Sequence, residues 1–281
     1  MSPTVGYITR ILSDVYPQDE ARALALWLVE ELTGKSRGEL LLRQEPLEIH
    51  DLDVYLRRLL EREPVQYIFG KTEWMGLGLR VTQDTLIPRP ETGELVEWVI
   101  QDTAALSDGE RPPLRVVDIG TGSGCIAIAL KRRFPDWDVC AWDISEAALR
   151  IAQENAARNG VSIRFSQKDI TEAEEDSPRE GCPFDIVVSN PPYVMEKEKA
   201  AMEENVLRYE PAAALFVPDN DPLLFYRAII RKRLAPTLYF EINERMGSAV
   251  QDLLLAEGYA DVIVRKDTYG KNRMVRGKLN N

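Results

Sequence analysis

The sequence predicts an α/β protein in which a doubly wound, mostly parallel seven-stranded sheet follows a small helical domain and a β-hairpin linker. Three observations point there. Up to residue 63, apolar residues recur at three- and four-residue spacing, the period of a helix. From residue 91 onward, short β-branched runs alternate with amphipathic helical stretches, the pattern of a parallel sheet covered on both faces. Between them, "PVQYIFGKTEWMGLGLRVTQDTLIPRP" (residues 64–90) is strand-like and punctuated by glycine, which suits a short hairpin. The expected domains are 1–70 (helical), 71–90 (linker) and 91–281 (sheet).

In chain order, "EARALALWLVEELTG" (20–34) predicts a helix that closes on Gly34, and "PLEIHDLDVYLRRLLERE" (46–63) a second that opens on proline and contains His50. Six strands are expected in "LRVVDIG" (114–120), "DVCAWD" (138–143), "IRFSQKD" (163–169), "FDIVVSN" (184–190), "TLYFEIN" (237–243) and "DVIVRKD" (261–267). A seventh, "KNRMVRGKL" (271–279), would return antiparallel. "SEAALRIAQENAARNG" (145–160) and "ERMGSAVQDLLLAEGY" (244–259) read as helices between strands, and the acidic "TEAEEDSPREG" (171–181) as a solvated loop.

The 281 residues are 44% hydrophobic, enough to bury a core. A formal net charge of −11 argues against a protein that grips a phosphate backbone, because such affinity comes from Lys and Arg. The N-terminal region agrees, with nine basic and thirteen acidic residues through Trp74. No apolar run reaches the roughly 18 residues of a membrane span, and the first residues lack a signal peptide's apolar core, so a cytoplasmic protein is expected. Cys125, Cys140 and Cys182 are far apart without CxxC spacing, and His50 is the only histidine. Reduced thiols and no metal site are expected.

"VVDIGTGSGCIAIAL" is a strand, a glycine-rich turn and a helix start. Gly120, Gly122 and Gly124 let the backbone turn tightly and approach a ligand, and the opening helix offers unpaired N–H groups. A nucleotide-like ligand follows, though not which one: Gly122, Gly124 and Ala127 also satisfy a dinucleotide-binding G-x-G-x-x-A, while the lysine of a P-loop is missing. Asp143 ends the second strand nineteen residues beyond Gly124, where a carboxylate accepts both hydroxyls of a ribose. Asp169 ends the third and is placed to accept an adenine amino hydrogen. Helix capping by Asp143, in competition with Ser145, and a turn role for Asp169 are the structural alternatives.

"VVSNPPYV" (187–194) ends a strand on an amide, two prolines and a tyrosine. Asn190 has a carbonyl that accepts, Pro191 and Pro192 offer carbonyls but no N–H, and Tyr193 presents a flat face. Such a cluster suits an NH2 on a planar group, either a carboxamide or a base amine. Accepting both hydrogens would aim the nitrogen lone pair at an electrophile and stabilise the charge that develops.

"DIGTGSG", Asp143 and "NPPY" together resemble the class I S-adenosylmethionine-dependent methyltransferases (Rossmann-like) that modify planar nitrogens, adenine-N6 and glutamine-N5 enzymes alike. "PVQYIFG" (64–70), "TLIPRPETGELVEWV" (85–99), "RYEPAAAL" (208–215) and "RKDTYGKNRMVRG" (265–277) are similar, in that order, to the methyltransferases that modify a glutamine N5 of peptide chain release factors. The resemblance implies that Gly120, Thr121, Gly122, Ser123 and Gly124 form the loop for S-adenosylmethionine, that Asp143 takes its ribose and that Asp169 and Ile170 flank its adenine. It implies that Asn190, Pro191, Pro192 and Tyr193 hold the glutamine amide of a Gly-Gly-Gln loop, with Asn190, Pro191 and Tyr193 catalytic and Asn190 also against the cofactor. Arg89, Glu91 and Thr92 would close over the site near the cofactor's methionine end, Thr92 in contact with it. The implied partner is a release factor, with no membrane and no direct nucleic acid; the competing expectation is adenine-N6 methylation of DNA or RNA, and a nicotinamide oxidoreductase shares the glycine turn. Ile170 departs from the family, which often has an aromatic there.

Overall fold

The computed structural model describes residues 2–104, 113–172 and 183–279. Its helical region begins with α1 (Pro3–Leu12), α2 (Gln18–Thr33) and α3 (Arg37–Leu42). Gly34 ends α2 at φ 66°, the left-handed cap that only glycine adopts without cost. Ser36 and Glu39 form a reciprocal capping box at the start of α3. Val5, Ile8, Leu12, Leu28, Leu40 and Leu59 are fully buried together, each contributing roughly 1.5–3 kcal/mol of transfer free energy.

Two local expectations need correction. The helix expected over 46–63 is confined to α4 (Leu52–Leu60). Thr4 intervenes: its hydroxyl oxygen accepts the Leu47 N–H at 2.7 Å, drawing 47 into a strap, and Asp51 turns at φ 55° before the helix begins. His50 therefore sits in that turn rather than in a helix, with its side chain 99% exposed. "PVQYIFG" is likewise not a strand but α5 (Val65–Phe69). The Pro64 carbonyl accepts the N–H groups of Tyr67 and Ile68 at 2.9 and 3.0 Å, and Gly70 ends the turn at φ 66°.

The hairpin is β1 (Lys71–Trp74) with β2 (Leu77–Arg80), paired Trp74 to Leu77 across a two-residue turn. Met75 and Gly76 both have positive φ, 49° and 70°, the geometry whose twist matches the strands. Then come α6 (Pro90–Ala104), β3 (Arg115–Ile119), α7 (Cys125–Arg133), β4 (Asp138–Asp143), α8 (Glu146–Arg158), β5 (Arg164–Gln167) and β6 (Ile186–Ser189). The remainder is β7 (Val194–Met195), α9 (Glu204–Tyr209), β8 (Phe216–Val217), α10 (Leu224–Arg231), β9 (Thr237–Glu241), α11 (Gly247–Ala256), β10 (Tyr259–Lys266) and β11 (Asn272–Leu279).

The main sheet has seven strands in the order β10-β11-β9-β6-β3-β4-β5. β9, β6, β3, β4 and β5 are parallel, and β11 runs antiparallel between β9 and β10. Side-chain alternation divides its core. Val116, Val139, Ala141, Ile186 and Val188 face one cluster with residues of α6 and α7, while Val117, Cys140, Val187, Leu238 and Phe240 face another with α10 and α11. This is the doubly wound arrangement, and the chain leaves β3 toward β4 and β5 on one side but places β6 on the other. The switch point at the carboxyl ends of β3 and β6 is where such sheets bind ligands.

By contacts the chain divides into two compact units: Met1–Gly70 with Glu203–Tyr209, and Lys71–Met202 with Glu210–Asn281. The hairpin thus goes with the sheet, and α9 with the helical unit, where the Tyr209 hydroxyl donates to the Glu61 carbonyl at 3.0 Å. Among the described residues no helix is long and apolar enough to cross a membrane. Cys125 and Cys140 are buried free thiols. Cys182 and most of the acidic 171–181 segment lie outside the described residues.

Candidate functional site

The glycine loop follows β3 with Gly120, Gly122 and Gly124 all left-handed, at φ 73°, 54° and 82°. At Gly124 a Cβ would also lie 3.1 Å from both Ala152 Cβ and Ile128 Cδ1, so the loop can pack against α8 only without one. Two buried side chains shape it. Asp118 accepts the Thr121 hydroxyl at 2.6 Å and the Ala127 N–H at 3.2 Å, pinning the loop to the first turn of α7. Asn155 of α8, fully buried, donates to the Ser123 and Arg80 carbonyls at 2.8 and 2.9 Å and accepts the Arg80 N–H, tying loop to hairpin.

Burial pushes the Asp118 carboxyl up from 3.8 to about 7, against the pull of its two hydrogen bonds. The native state therefore holds that proton more tightly than the unfolded chain does. Its stabilising contribution is full below about pH 4 and is lost as pH rises toward 7, on the order of 4 kcal/mol at most. Asp118→Asn keeps an acceptor but cannot titrate. Denaturant unfolding at a series of pH values should show wild type losing more stability than the variant between about pH 4 and 7. Parallel curves would refute the assignment.

Asp143 closes β4 beside the loop. One carboxylate oxygen accepts the Gly122 N–H at 2.8 Å and the other the Ser145 N–H at 2.9 Å, leaving a lone pair on each. Ser145 itself caps α8 by accepting the Ala148 N–H, so Asp143 is not needed for capping. Burial raises the Asp143 carboxyl above its usual range, and N–H groups of Ser145, Gly122 and Ile144 pull it back. Next to it a cavity of about 430 Å³ is lined by Trp142, Ile144, Lys168, Asp169 and Ile170 among others. Asp169 spends one oxygen on its own turn, accepting the N–H and hydroxyl of Thr171 at 2.8 and 2.6 Å. The Lys168 ammonium lies 3.8 Å from the centre of the Trp142 ring, a cation–π contact in the cavity wall.

Across the switch point, the Ser189 hydroxyl donates to the Ile119 carbonyl at 2.6 Å and laces β6 to β3. Asn190 follows. A Cβ on Gly120 would come within 3.9 Å of the Asn190 backbone carbonyl oxygen, so the loop and the main chain of Asn190 are neighbours. The Asn190 amide donates to the Thr92 hydroxyl oxygen at 3.1 Å, and the Thr92 hydroxyl donates to Glu241 at 2.7 Å. Glu241 also accepts the Tyr193 hydroxyl at 2.9 Å. Glu241 is 1% exposed; burial raises its carboxyl, while the Thr92 and Tyr193 hydroxyls and the Arg273 guanidinium oppose. Arg273 is in turn paired with Asp267 at 3.2 Å. Burial and the Glu241 charge push the Tyr193 phenol well up, so it stays protonated.

The structure thus brings Asn190, Tyr193, Thr92 and the glycine loop together at one edge, with Glu91 near enough for its charge to act on Glu241. Arg89 is turned elsewhere: its guanidinium pairs with the buried Glu210 of "RYEPAAAL" at 2.6 Å, and Trp74 donates to its carbonyl. Asp118, Asn155, Glu210, Glu241 and Arg273 are absent from the sequence reading. The usable signal was a carboxylate inside an apolar strand, "VVDIG" and "TLYFEIN", which is worth burying only where it has partners.

A seven-stranded sheet with one reversed strand, carrying a glycine loop at its switch point, is the architecture of the class I methyltransferases. The family model "Methyltransferase small domain" matches residues 106–214, and "PrmC N-terminal domain" matches 6–70. Human methyltransferase 10 domain containing protein shares the fold with a TM-score of 0.53 over 73% of this chain and 90% of its own, at 19% identity. Release factor glutamine methyltransferase of Bacteroides thetaiotaomicron is 41% identical over 98% of this chain and 99% of its own length. That of Flavobacterium psychrophilum is 40% identical over 94% of each. The chain belongs to the release factor glutamine methyltransferase family.

Proposed function

We propose that the protein transfers a methyl group from S-adenosylmethionine to the side-chain amide nitrogen (N5) of the glutamine in the Gly-Gly-Gln loop of peptide chain release factors, in the cytoplasm, supporting translation termination. The observation that carries this reading is Asn190, an anchored amide followed by two prolines, at the switch point beside the glycine loop.

The residues present fit the cofactor. Asp143 keeps a lone pair on each oxygen for two ribose hydroxyls, and the adjoining 430 Å³ cavity offers Ile144 and Ile170 as apolar walls and Asp169 as an acceptor for adenine. When bound, S-adenosylmethionine supplies a methyl group on a positively charged sulfur. Gly120, Thr121, Gly122, Ser123 and Gly124 would bring backbone close to it, with Asn190 and Thr92 at its methionine side.

The acceptor is an amide nitrogen whose lone pair is delocalised. In this reading the Asn190 side-chain carbonyl and the Pro191 carbonyl accept its two hydrogens, which aims the lone pair and stabilises the positive charge as the N–C bond forms. Pro191 and Pro192 stiffen the backbone and bring no competing N–H. Tyr193, held by Glu241, supplies a fixed flat wall against the amide. Because its phenol stays protonated, Tyr193 serves position rather than proton removal. The methylated cation is strongly acidic and gives up its proton to water, so no strong base is required. The helical domain, residues 1–70, would contact the release factor.

The test is mass spectrometry of the Gly-Gly-Gln tryptic peptide after incubation of protein, S-adenosylmethionine and release factor. A gain of one methyl on the glutamine is expected, and none when that glutamine is replaced by glutamate. An unchanged mass refutes the reading; methyl incorporation into DNA or RNA instead would favour adenine.

A further inference from the structure

A clamp that accepts an NH2 works only if Asn190 turns its carbonyl oxygen outward. The two ends of a side-chain amide have nearly the same shape, so packing alone does not choose between them. Hydrogen bonding does. Each oxygen of the Glu241 carboxyl meets a hydroxyl, Tyr193 at 2.9 Å and Thr92 at 2.7 Å, and in accepting from both it takes the single proton of Thr92. Thr92 is then purely an acceptor toward Asn190 at 3.1 Å. Asn190 must meet it with NH2, and the carbonyl oxygen is left for the site.

Glu241 is held in that role from three sides. Its other oxygen accepts the Tyr193 hydroxyl, Arg273 lies near it, and Arg273 is itself oriented by Asp267. A donor at this position in place of an acceptor would turn the Thr92 proton toward the Asn190 carbonyl and reverse the clamp. Reversed, the site would present an NH2 and welcome a carboxylate.

We propose that Glu241 is a positioning residue which, through Thr92, fixes the polarity of Asn190 and so makes the enzyme select a carboxamide over a carboxylate. The proposal rests on the substrate assignment above. It places specificity in a residue that does not touch the acceptor, 149 positions along the chain from the Thr92 it acts through.

The experiment uses the full-length protein, the release factor and a version of it with glutamate in place of the loop glutamine. Methyl transfer gives kcat and KM, and competition by the glutamate form gives its Ki. Wild type should be poorly inhibited by the glutamate form. Thr92→Val, which keeps the shape and removes the hydroxyl, should lose about 10- to 100-fold in kcat and be inhibited about tenfold more strongly by glutamate, as expected for one hydrogen bond misplaced. Glu241→Gln should move both quantities the same way by less, since a glutamine can still offer its oxygen to Thr92. Thr92→Ser, with the hydroxyl restored, should return kcat to within about threefold and discrimination to that of wild type. Loss of rate without any change in discrimination, in a variant that still binds S-adenosylhomocysteine, overturns the proposal, as does a Thr92→Val enzyme of wild-type rate. A wild type that leaves the release factor unmodified overturns the substrate assignment and this proposal with it.

Discussion

Asn190→Ala should bind S-adenosylhomocysteine yet transfer methyl to the release factor about 10²- to 10³-fold more slowly, the usual effect of deleting one preorganised polar partner of a developing charge. The asymmetry follows from where the residue sits. The glycine loop is shaped by Asp118, Asn155 and Asp143, none of which bonds to the Asn190 side chain, so the cofactor side should survive the truncation. Acceptor binding should survive in part, because the Pro191 carbonyl and the Tyr193 ring remain. In the proposed mechanism the truncation would remove one of two acceptors that aim the nitrogen lone pair, and that loss would be felt most in the transition state. Truncation also leaves Thr92 and Glu241 in place, with their mutual hydrogen bond intact, so the fold should be preserved. Isothermal titration with S-adenosylhomocysteine and single-turnover transfer measured together decide the matter. Transfer at the wild-type rate, or loss of cofactor binding with transfer, would assign Asn190 a different role.

Much of this site can be read along the chain because its parts are local. Gly120, Gly122 and Gly124 lie within five residues and all take the left-handed conformation that their spacing in a turn implies. The strands carry their β-branched residues in runs, and each of the seven expected is found in the main sheet. Asp143 and Ser145 are two residues apart, yet only the fold distinguishes Ser145 as the one that caps α8. Less legible is whatever depends on a distant partner. The strap at Leu47 exists because Thr4 reaches it, 43 residues away, and overrides a helical pattern. α5 forms because the Pro64 carbonyl is free to cap it, against β-favouring composition. Thr92 reads as a cofactor contact when "PRPET" is taken alone; only the fold shows both ends of its hydroxyl engaged, one by Glu241 and one by Asn190. Arg89, two residues from Glu91, belongs to Glu210 for the same reason.

Asp143→Ala should weaken S-adenosylhomocysteine binding by on the order of 10²-fold or more, the equivalent of about 3 kcal/mol. Two losses combine. The ribose would lose a carboxylate acceptor for both hydroxyls, charge-assisted bonds of roughly 1.5–3 kcal/mol each before reorganisation. The loop would lose the bond that holds the Gly122 N–H at 2.8 Å, in a segment of three left-handed residues that needs such restraint. Asp143→Asn separates the two poorly but informatively: its oxygen can hold either the Gly122 or the Ser145 N–H, while its NH2 faces the other, so it should also be severe. The pH dependence supplies the sharper test. Ribose hydroxyls donate, and therefore favour the ionised carboxylate, so the pKa of Asp143 must be lower with ligand than without. Burial has already raised it in the free protein. Affinity should accordingly fall as pH drops toward that raised value and level off once pH exceeds it, and the Asp143→Asn protein should lack this fall. Titration across pH 4.5 to 8, roughly spanning the range from a free carboxyl to neutral, reads the difference directly. An acid-side decline of equal size in both proteins would place the titrating group elsewhere and remove Asp143 from the ribose.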